Sequence, residues 1–415
     1  MISPEEIGTF ARCLGFDAFG IAPAGSIPHA EAEFQSWIEA GLHGSMKYLE
    51  NYAERKKELE RELPGAKNVL VFGASYYTAG EEKPDGSGLT GRVARYAWGK
   101  DYHLVIREKL KAVEDFIHSK APEAKCLTCV DTRPIFERSY AELAGLGFRG
   151  KHTNLLSREF GPWLFLSEII TDLDFAPDKS ADHGSCGICT DCLGICPTRA
   201  IVEPGKIDAR KCIAYLTIEY KGVIPREIRP LMGDWVFGCD ACLNVCPFTR
   251  FSKESTWKEF HPSSGAGERL GLLELFKIKT NGEYESRFSD TPLLRATRKM
   301  MLRNAAVVLG NIGGTEAVPV LAKALLEEVP LVKIHAAWAL GQLSAKPPIS
   351  LPFCSPSAGA LGQLSAKPPI SLPFCSPSAG ALGRIGGEEA RRALESALQS
   401  ETDSEVREEI LLGLQ

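Results

Sequence analysis

Thirteen cysteines are spread over the 415 residues, and eight of them fall between positions 186 and 246. Cys186, Cys189, Cys192 and Cys196 follow the pattern C-x2-C-x2-C-x3-C, with Pro197 closing it. This is the run of bacterial two-cluster ferredoxins, in which the fourth thiolate ligates the other cluster. Cys239, Cys242 and Cys246 repeat the end of that pattern before Pro247, one cysteine short, and Cys212 can supply the missing ligand. The natural partition gives Cys186, Cys189, Cys192 and Cys246 to one [4Fe-4S] cluster and Cys196, Cys212, Cys239 and Cys242 to a second. Paired structural zinc sites are disfavoured, because C-x2-4-C knuckles have no use for a third cysteine three residues on. Two such clusters deliver electrons singly, so the chain is either a relay or a reductase whose chemistry occurs in another domain.

The elements that must carry these residues are partly legible. Up to about residue 175, apolar runs such as NVLVFGASYY alternate with helix-like stretches such as PEEIGTFARCLG and YHLVIREKLKAVEDFIHSK. That alternation predicts a mixed α/β domain and leaves strand order open. Residues 176–250 hold the eight cysteines in short segments that would fold around metal more than around an apolar core. A polar connecting segment follows over 251–292.

Residues 293–415 read as HEAT-like helical repeats. RNAAVVLG is echoed by HAAWALG, with 31 residues separating Ala305 from Ala336. The stretch GQLSAKPPISLPFCSPSAGAL at 341–361 recurs letter for letter at 362–382. Taking out both copies joins HAAWAL to GRIGGEEARRALESAL, which then parallels the preceding repeat, so the insert is expected in an inter-helix turn. Its Pro-Pro, Leu-Pro and Ser-Pro pairs oppose continuous helix and predict an irregular excursion. The fold class is thus α+β or α/β: a mixed α/β domain, a bacterial two-cluster ferredoxin-like module, and α-helical repeats interrupted by the duplicated insert.

Composition narrows the function. A formal charge of -5 excludes a generally basic nucleic-acid coat and leaves room for a local basic stripe. There is no run of about 18 uncharged apolar residues and no signal-peptide pattern, so no membrane is expected and the expected compartment is the cytoplasm. In that compartment clustered cysteines point to metal rather than disulfides. Neither G-x-G-x-x-G after a strand nor G-x-x-x-x-G-K-[ST] occurs, which leaves nucleotide cofactors without support. Cys126 and Cys129 lie in the apolar run CLTCV, where pleating sends them to opposite faces, and are read as structural. Cys13 is read as a core residue, and Cys354 and Cys375 belong to the insert.

RYAWGKDYH at 95–103, VDTRPIFERSYAELAGLGFRGKHTNLL at 130–156, the two cysteine groups and the helical-repeat tail together resemble the epoxyqueuosine reductases over nearly the whole chain. The resemblance implies a cytoplasmic enzyme dependent on cobalamin and two [4Fe-4S] clusters, with residues 1–175 as the cobalamin-binding catalytic domain. It would remove the epoxide oxygen of epoxyqueuosine at the wobble position of tRNA, the last step of queuosine biosynthesis. Turning an epoxide into an alkene and water takes two electrons and two protons, so an acid is required. The resemblance assigns that acid to Asp131, whose carboxyl would hold its proton near neutral pH in a desolvated pocket. It further implies corrin contacts at Arg55, Ala94, Asn154, Tyr215 and Asp240 besides Asp131, without a histidine on cobalt. DYHLVI keeps Asp101 and His103 of a D-x-H-x-x-G motif but ends in Ile106. For tRNA it points to Lys221, Gly222 and Arg229, and the helix TPLLRATRKMMLRNAA adds Arg295, Arg298, Lys299 and Arg303 as phosphate-binding candidates. An external electron donor and a monomer complete the expectation. The competing readings are a cobalamin-dependent reductive dehalogenase and a non-catalytic electron-transfer protein with a repeat scaffold.

Overall fold

The computed structural model describes residues 2–57, 59–80, 88–178, 184–344 and 383–415, without the side chains of 54–57 and 383–386. Its contacts divide into two units, Met1–Val308 and Leu309–Gln415.

The first unit is organised by a four-stranded antiparallel sheet in the order Ala18–Pro23, Asn68–Ser75, Leu164–Thr171, Cys126–Cys129. Every residue of Asn68–Ser75 is buried, because both faces of the sheet are covered. Leu70, Phe72 and Ala74 enter one core with Ile7 and Ala11 and with Val105, Ile106, Leu110, Val113 and Ile117 of the Tyr102–Lys120 helix. Val69 and Val71 enter the other, with Ala30, Tyr140 and Ala141. The period of two thus feeds two helical layers from one strand. At about 1.5–3 kcal/mol per buried large apolar side chain, these layers fix the register of the sheet. The expected mixture of helix and strand is present, and the pairing is antiparallel.

Cys126 packs in the first core and Cys129 in the second, on opposite faces as the pleat requires. Burial pushes the Cys126 thiol up to about 11, which suits a structural residue. Cys13 differs from expectation: Ile7, Gly8 and Ala11 form the buried face of the Pro4–Cys13 helix, and Cys13 is exposed on the other side.

Residues 251–292 do more than connect. Ser255 N–H donates to Tyr77 O at 2.7 Å, the Trp257 indole donates to Gly15 O at 2.6 Å, and Trp257 and Phe260 stack inside the first core. Arg269–Gly271 then pairs antiparallel with Thr90–Val93, which also pairs parallel with Trp235–Phe237. Asp234 ties this small sheet together by accepting from Arg92 at 2.6 Å and Arg269 at 2.9 Å.

The second unit is helical, with Ala317–Glu327, Pro330–Ser344, Gly383–Ser400 and Ser404–Leu414. Two helices cross at glycines: a Cβ placed on Gly341 would lie 2.7 Å from Gly413 Cα. Gly341–Ser344, the first four residues of the duplicated stretch, therefore complete a helix. The rest of the insert, with Cys354 and Cys375, lies outside the described residues.

Candidate active site and cluster module

In the first cysteine arm Gly187 takes φ +50, and Cys189 N–H closes the turn on Cys186 O at 3.0 Å. Cys192 rides the short helix Asp191–Ile195, and the chain becomes extended at Cys196, where Pro197 forbids more helix. The second arm repeats this design: Cys242 sits on Ala241–Asn244 and Cys246 is extended before Pro247. The two short helices pack against each other. Cys212, in turn, starts the Ile213–Ile218 helix.

The thiols fall into two electrostatic neighbourhoods. Cys246 feels Cys186, Cys192 and Cys189, while Cys239 feels Cys212 and Cys242, and Cys212 feels Cys196. Cys242 senses Cys212, Cys196 and Cys192. Burial raises the thiols of Cys192, Cys212, Cys239, Cys242 and Cys246, the last to about 11. Such thiols release protons to a metal rather than to water. Lys151 N–H donates to Cys186 Sγ at 3.4 Å and Ala200 N–H to Cys196 Sγ at 3.2 Å, contacts that stabilise thiolate charge and tune a cluster's potential. Among the described residues no three ligand side chains converge on one ion-sized site.

Asp131 stands at the far end of the large sheet. Pro23, Asn68, Thr171 and Cys126 form a row across one end, and the chain runs from Cys126 past Cys129 toward the other. There Asp131 turns left-handed at φ +52, a strain of roughly 1–3 kcal/mol that its short polar side chain eases. Glu137 Oε1 holds the turn by accepting Asp131 N–H at 2.7 Å.

The carboxylate meets the start of the Tyr102–Lys120 helix. Tyr102 donates its hydroxyl to Asp131 Oδ2 at 2.6 Å, and His103 Nε2 lies 3.5 Å from the same oxygen. The other ring nitrogen of His103 sits 2.7 Å from Oδ1 of Asp101, which caps the helix by accepting His103 N–H. Tyr102 is fixed by stacking on Phe165, 4.4 Å between centroids. The Asp131 side chain is 58 % exposed on its remaining side. On the rim Arg295 pairs with Glu219 at 2.8 Å, and Arg295, Glu219 and Asp131 all act on Tyr48.

Asp131 is expected to hold its proton in a desolvated pocket, and its neighbours His103 and Tyr102 act in the opposite direction. Burial pushes its carboxyl up, but the contacts with His103 and Tyr102 outweigh burial and hold it below the usual carboxylate range. His103 is the more basic partner: burial lowers that imidazole, and the contacts with Asp101 and Asp131 prevail and raise it to about 9. This pairing escaped the sequence reading, although DYH was noted as a fragment of another motif.

Among the expected corrin contacts, Ala94 is 1 % exposed and hydrogen-bonded through N–H to Phe237 O. Tyr215 is buried, its hydroxyl accepting Ser45 N–H at 2.8 Å. Asp240 is buried too and accepts Arg95 N–H at 2.6 Å, burial raising its carboxyl to about 6. Asn154 is half-buried beside the Lys151–His152 turn, and the side chain of Arg55 lies outside the described residues. An arginine missed by the sequence reading, Arg95, lies over the rings of Tyr77, Trp98 and Trp163 at 4.6–4.7 Å, next to the second cluster arm.

The basic candidates divide. Lys221, Arg295 and Lys299 are exposed, while Gly222 lends its carbonyl to Arg303. Arg298 is half-buried and donates to Ile278 O at 2.8 Å. Arg229, 2 % exposed, donates to Ile224 O and is removed from the phosphate-binding set. Arg303 leaves it as well: fully buried, it donates to the carbonyls of Leu216, Tyr220 and Gly222.

Twin cysteine arms set against an α/β layer that ends in a hydrogen-bonded carboxylate define an iron–sulfur oxidoreductase. Residues 185–249 match the 4Fe-4S double cluster binding domain, 56–132 match the family Epoxyqueuosine reductase QueG, DUF1730, and 301–327 match the PBS lyase HEAT-like repeat. Epoxyqueuosine reductase of Pseudomonas aeruginosa is 39% identical over 341 residues, 81% of this chain and 93% of the relative; that of Escherichia coli is 37% identical, covering 81% and 89%. The chain belongs to the epoxyqueuosine reductase family. It is also similar to a crystal structure of epoxyqueuosine reductase with a tRNA-Tyr epoxyqueuosine-modified stem loop, at TM-score 0.81 and 28% identity over 99% of this chain and 97% of that one. The enzyme of Bacillus subtilis, solved with its catalytic aspartate loop swung out of the active site, matches at the same TM-score, identity and coverage.

Proposed function

We propose that this chain reduces epoxyqueuosine to queuosine at the wobble position of tRNA, acting as a cytoplasmic monomer supplied by an external electron donor. One observation carries the reading. In a chain of this family, an aspartate held in a strained turn by Tyr102 and His103 opens to solvent in the same compact unit as two cysteine sets. Cys186, Cys189, Cys192 and Cys246 would hold one [4Fe-4S] cluster and Cys196, Cys212, Cys239 and Cys242 the other. The clusters, when bound, supply electrons one at a time, and cobalamin, when bound, supplies a cobalt centre able to reduce a carbon–oxygen bond. Residues 1–175 would form the cobalamin-binding catalytic domain, 176–250 the cluster module and 293–415 the repeats.

The residues present fit the clusters through their donor set. For cobalamin they offer the open face of Asp131 and half-buried Asn154, while Ala94, Tyr215 and Asp240 act from behind as supports.

This chain's own part in the chemistry is acid catalysis and positioning. Asp131 presents Oδ2 to the departing oxygen, Tyr102 orients that oxygen atom of the carboxylate, and the Glu137 contact keeps the turn from relaxing. Lys221, Arg295 and Lys299 offer mobile cations to tRNA phosphates near the rim. The deciding experiment is an anaerobic assay of reconstituted protein on an epoxyqueuosine-containing stem loop, with and without cobalamin. Queuosine formed only with cobalamin supports the reading. No product under either condition refutes it, and product without cobalamin removes that cofactor.

A further inference from the structure

We propose that His103, clamped by Asp101, is the proton source of the reaction: it passes the proton on Nε2 to Asp131 Oδ2, and Asp131 passes it to the departing oxygen. The inference rests on Asp131 being the acid. An epoxide consumes two protons on its way to an alkene and water, and one carboxyl carries one. A second group must therefore reload Asp131 while substrate covers its open face.

His103 stands between two carboxylates. Its Nδ1 lies 2.7 Å from Asp101 Oδ1, and its Nε2 lies 3.5 Å from Asp131 Oδ2, so the ring bridges two carboxylates. Asp101 is itself immobile, accepting His103 N–H at 2.9 Å and donating its own N–H to Asp290 O at 2.6 Å. The start of a helix is an unfavourable place for a cation, so helix formation gives no reason for an imidazolium here. Tyr102 is held to its proton by burial and by Asp131, and its hydroxyl orients the carboxylate. The charged groups around the pair are Asp101 and Arg107 on the same helix, Glu137 and Arg138 beyond the strand, and Arg295 on the rim. His103 stays 23 % exposed, which leaves a route for protons from solvent.

Substrate closing over Asp131 removes the water that stabilises its charge, and this drives the transfer. The Nε2–H bond breaks as Oδ2–H forms. Oδ2–H then breaks as the substrate oxygen gains hydrogen, and the imidazole takes a new proton from solvent and repeats the transfer. Both carbon–oxygen bonds of the epoxide break, the carbon–carbon double bond forms with two electrons from the external donor, and the oxygen leaves as water.

The test compares reconstituted wild type, His103→Gln, His103→Ala, Asp101→Asn and Asp131→Asn on an epoxyqueuosine-containing stem loop between pH 6 and pH 10. Wild-type kcat should fall above a limb near pH 9, following the imidazolium. His103→Gln should keep cluster absorbance and KM, lose about 100-fold in kcat and lose that limb. Imidazole should restore part of the His103→Ala rate, and Asp101→Asn should move the limb to lower pH. Independently of turnover, NMR of the His103 ring should titrate near 9 in wild type and at a lower pH in Asp131→Asn, with Asp101 still raising it. Wild-type kcat with an unmoved limb in His103→Gln overturns the inference, as does a His103 midpoint that ignores Asp131. If Asp131→Asn is fully active, the assignment of the acid fails; if it is inactive while His103→Gln is normal, the assignment stands and the His103 relay fails alone.

Discussion

The cysteine run from 186 to 196 and the second from 239 to 246 each fit within a dozen residues, whereas the Asp131 cleft draws on positions 48, 101–103, 131, 137, 219 and 295. The cluster arms carry their geometry in their spacing: a turn, one helical turn and a proline suffice, and the design recurs. The cleft has no such spacing. It arises because a strand end and a helix start are brought together by two packed cores, and its protonation follows from that juxtaposition. Ligands set by local chain geometry tolerate much change elsewhere, while a site set by long-range packing depends on its scaffold.

That contrast can be broken in several ways. Replacing Cys242 by Ser should have the largest effect. Removing a buried ligand should lose one cluster outright and loosen the 176–250 segment, seen as lost iron, lost absorbance and protease sensitivity. Asp131→Asn should leave both clusters and the melting temperature near wild type and lower kcat by roughly 10²–10⁴-fold. Intact turnover would erase the functional half of the comparison. Arg303→Met should cost about 3 kcal/mol or more in stability, because three buried carbonyls lose their donor, and denaturant titration would read it.

His103→Gln sharpens the comparison through pH. The folded-state imidazole lies above its unfolded value of about 6.5, so its contribution is complete below pH 6.5 and is lost as pH rises through about 9. The stability difference between His103→Gln and wild type should therefore be larger at pH 6 than at pH 10 in thermal melts. Deleting residues 341–382 should have the smallest effect. The deletion brings Gly383 to the place of Gly341, so the glycine crossing against Gly413 survives, and melting temperature and activity should both stay near wild type.

Much of the architecture was legible because periodicity reports burial. NVLVFGAS announced a buried strand, YHLVIREKLKAVEDFIHSK announced an amphipathic helix, and Cys126 and Cys129 diverged as a pleat demands. Where the reading failed, a side chain had more than one physical use. Arg229 and Arg303 look like phosphate binders in a basic run, yet carbonyl groups left over at helix and loop ends recruited them into the interior. Residues 251–292 read as polar connection because a few aromatics, Trp257 and Phe260, carry their packing.

By itself the sequence determined that seven of the eight clustered cysteines lie in two short arms, within the stretch that matches a 4Fe-4S double cluster domain, since eleven or fewer residues of backbone restrict where a thiol can point. It also determined the helical repeat and the duplication within it. Only the tertiary structure placed Asp131 against Tyr102 and His103, contacts that lower the carboxyl and raise the imidazole. A carboxyl's charge depends on the donors and burial around it, and those came from chain segments almost thirty residues apart in sequence, joined by two hydrophobic layers.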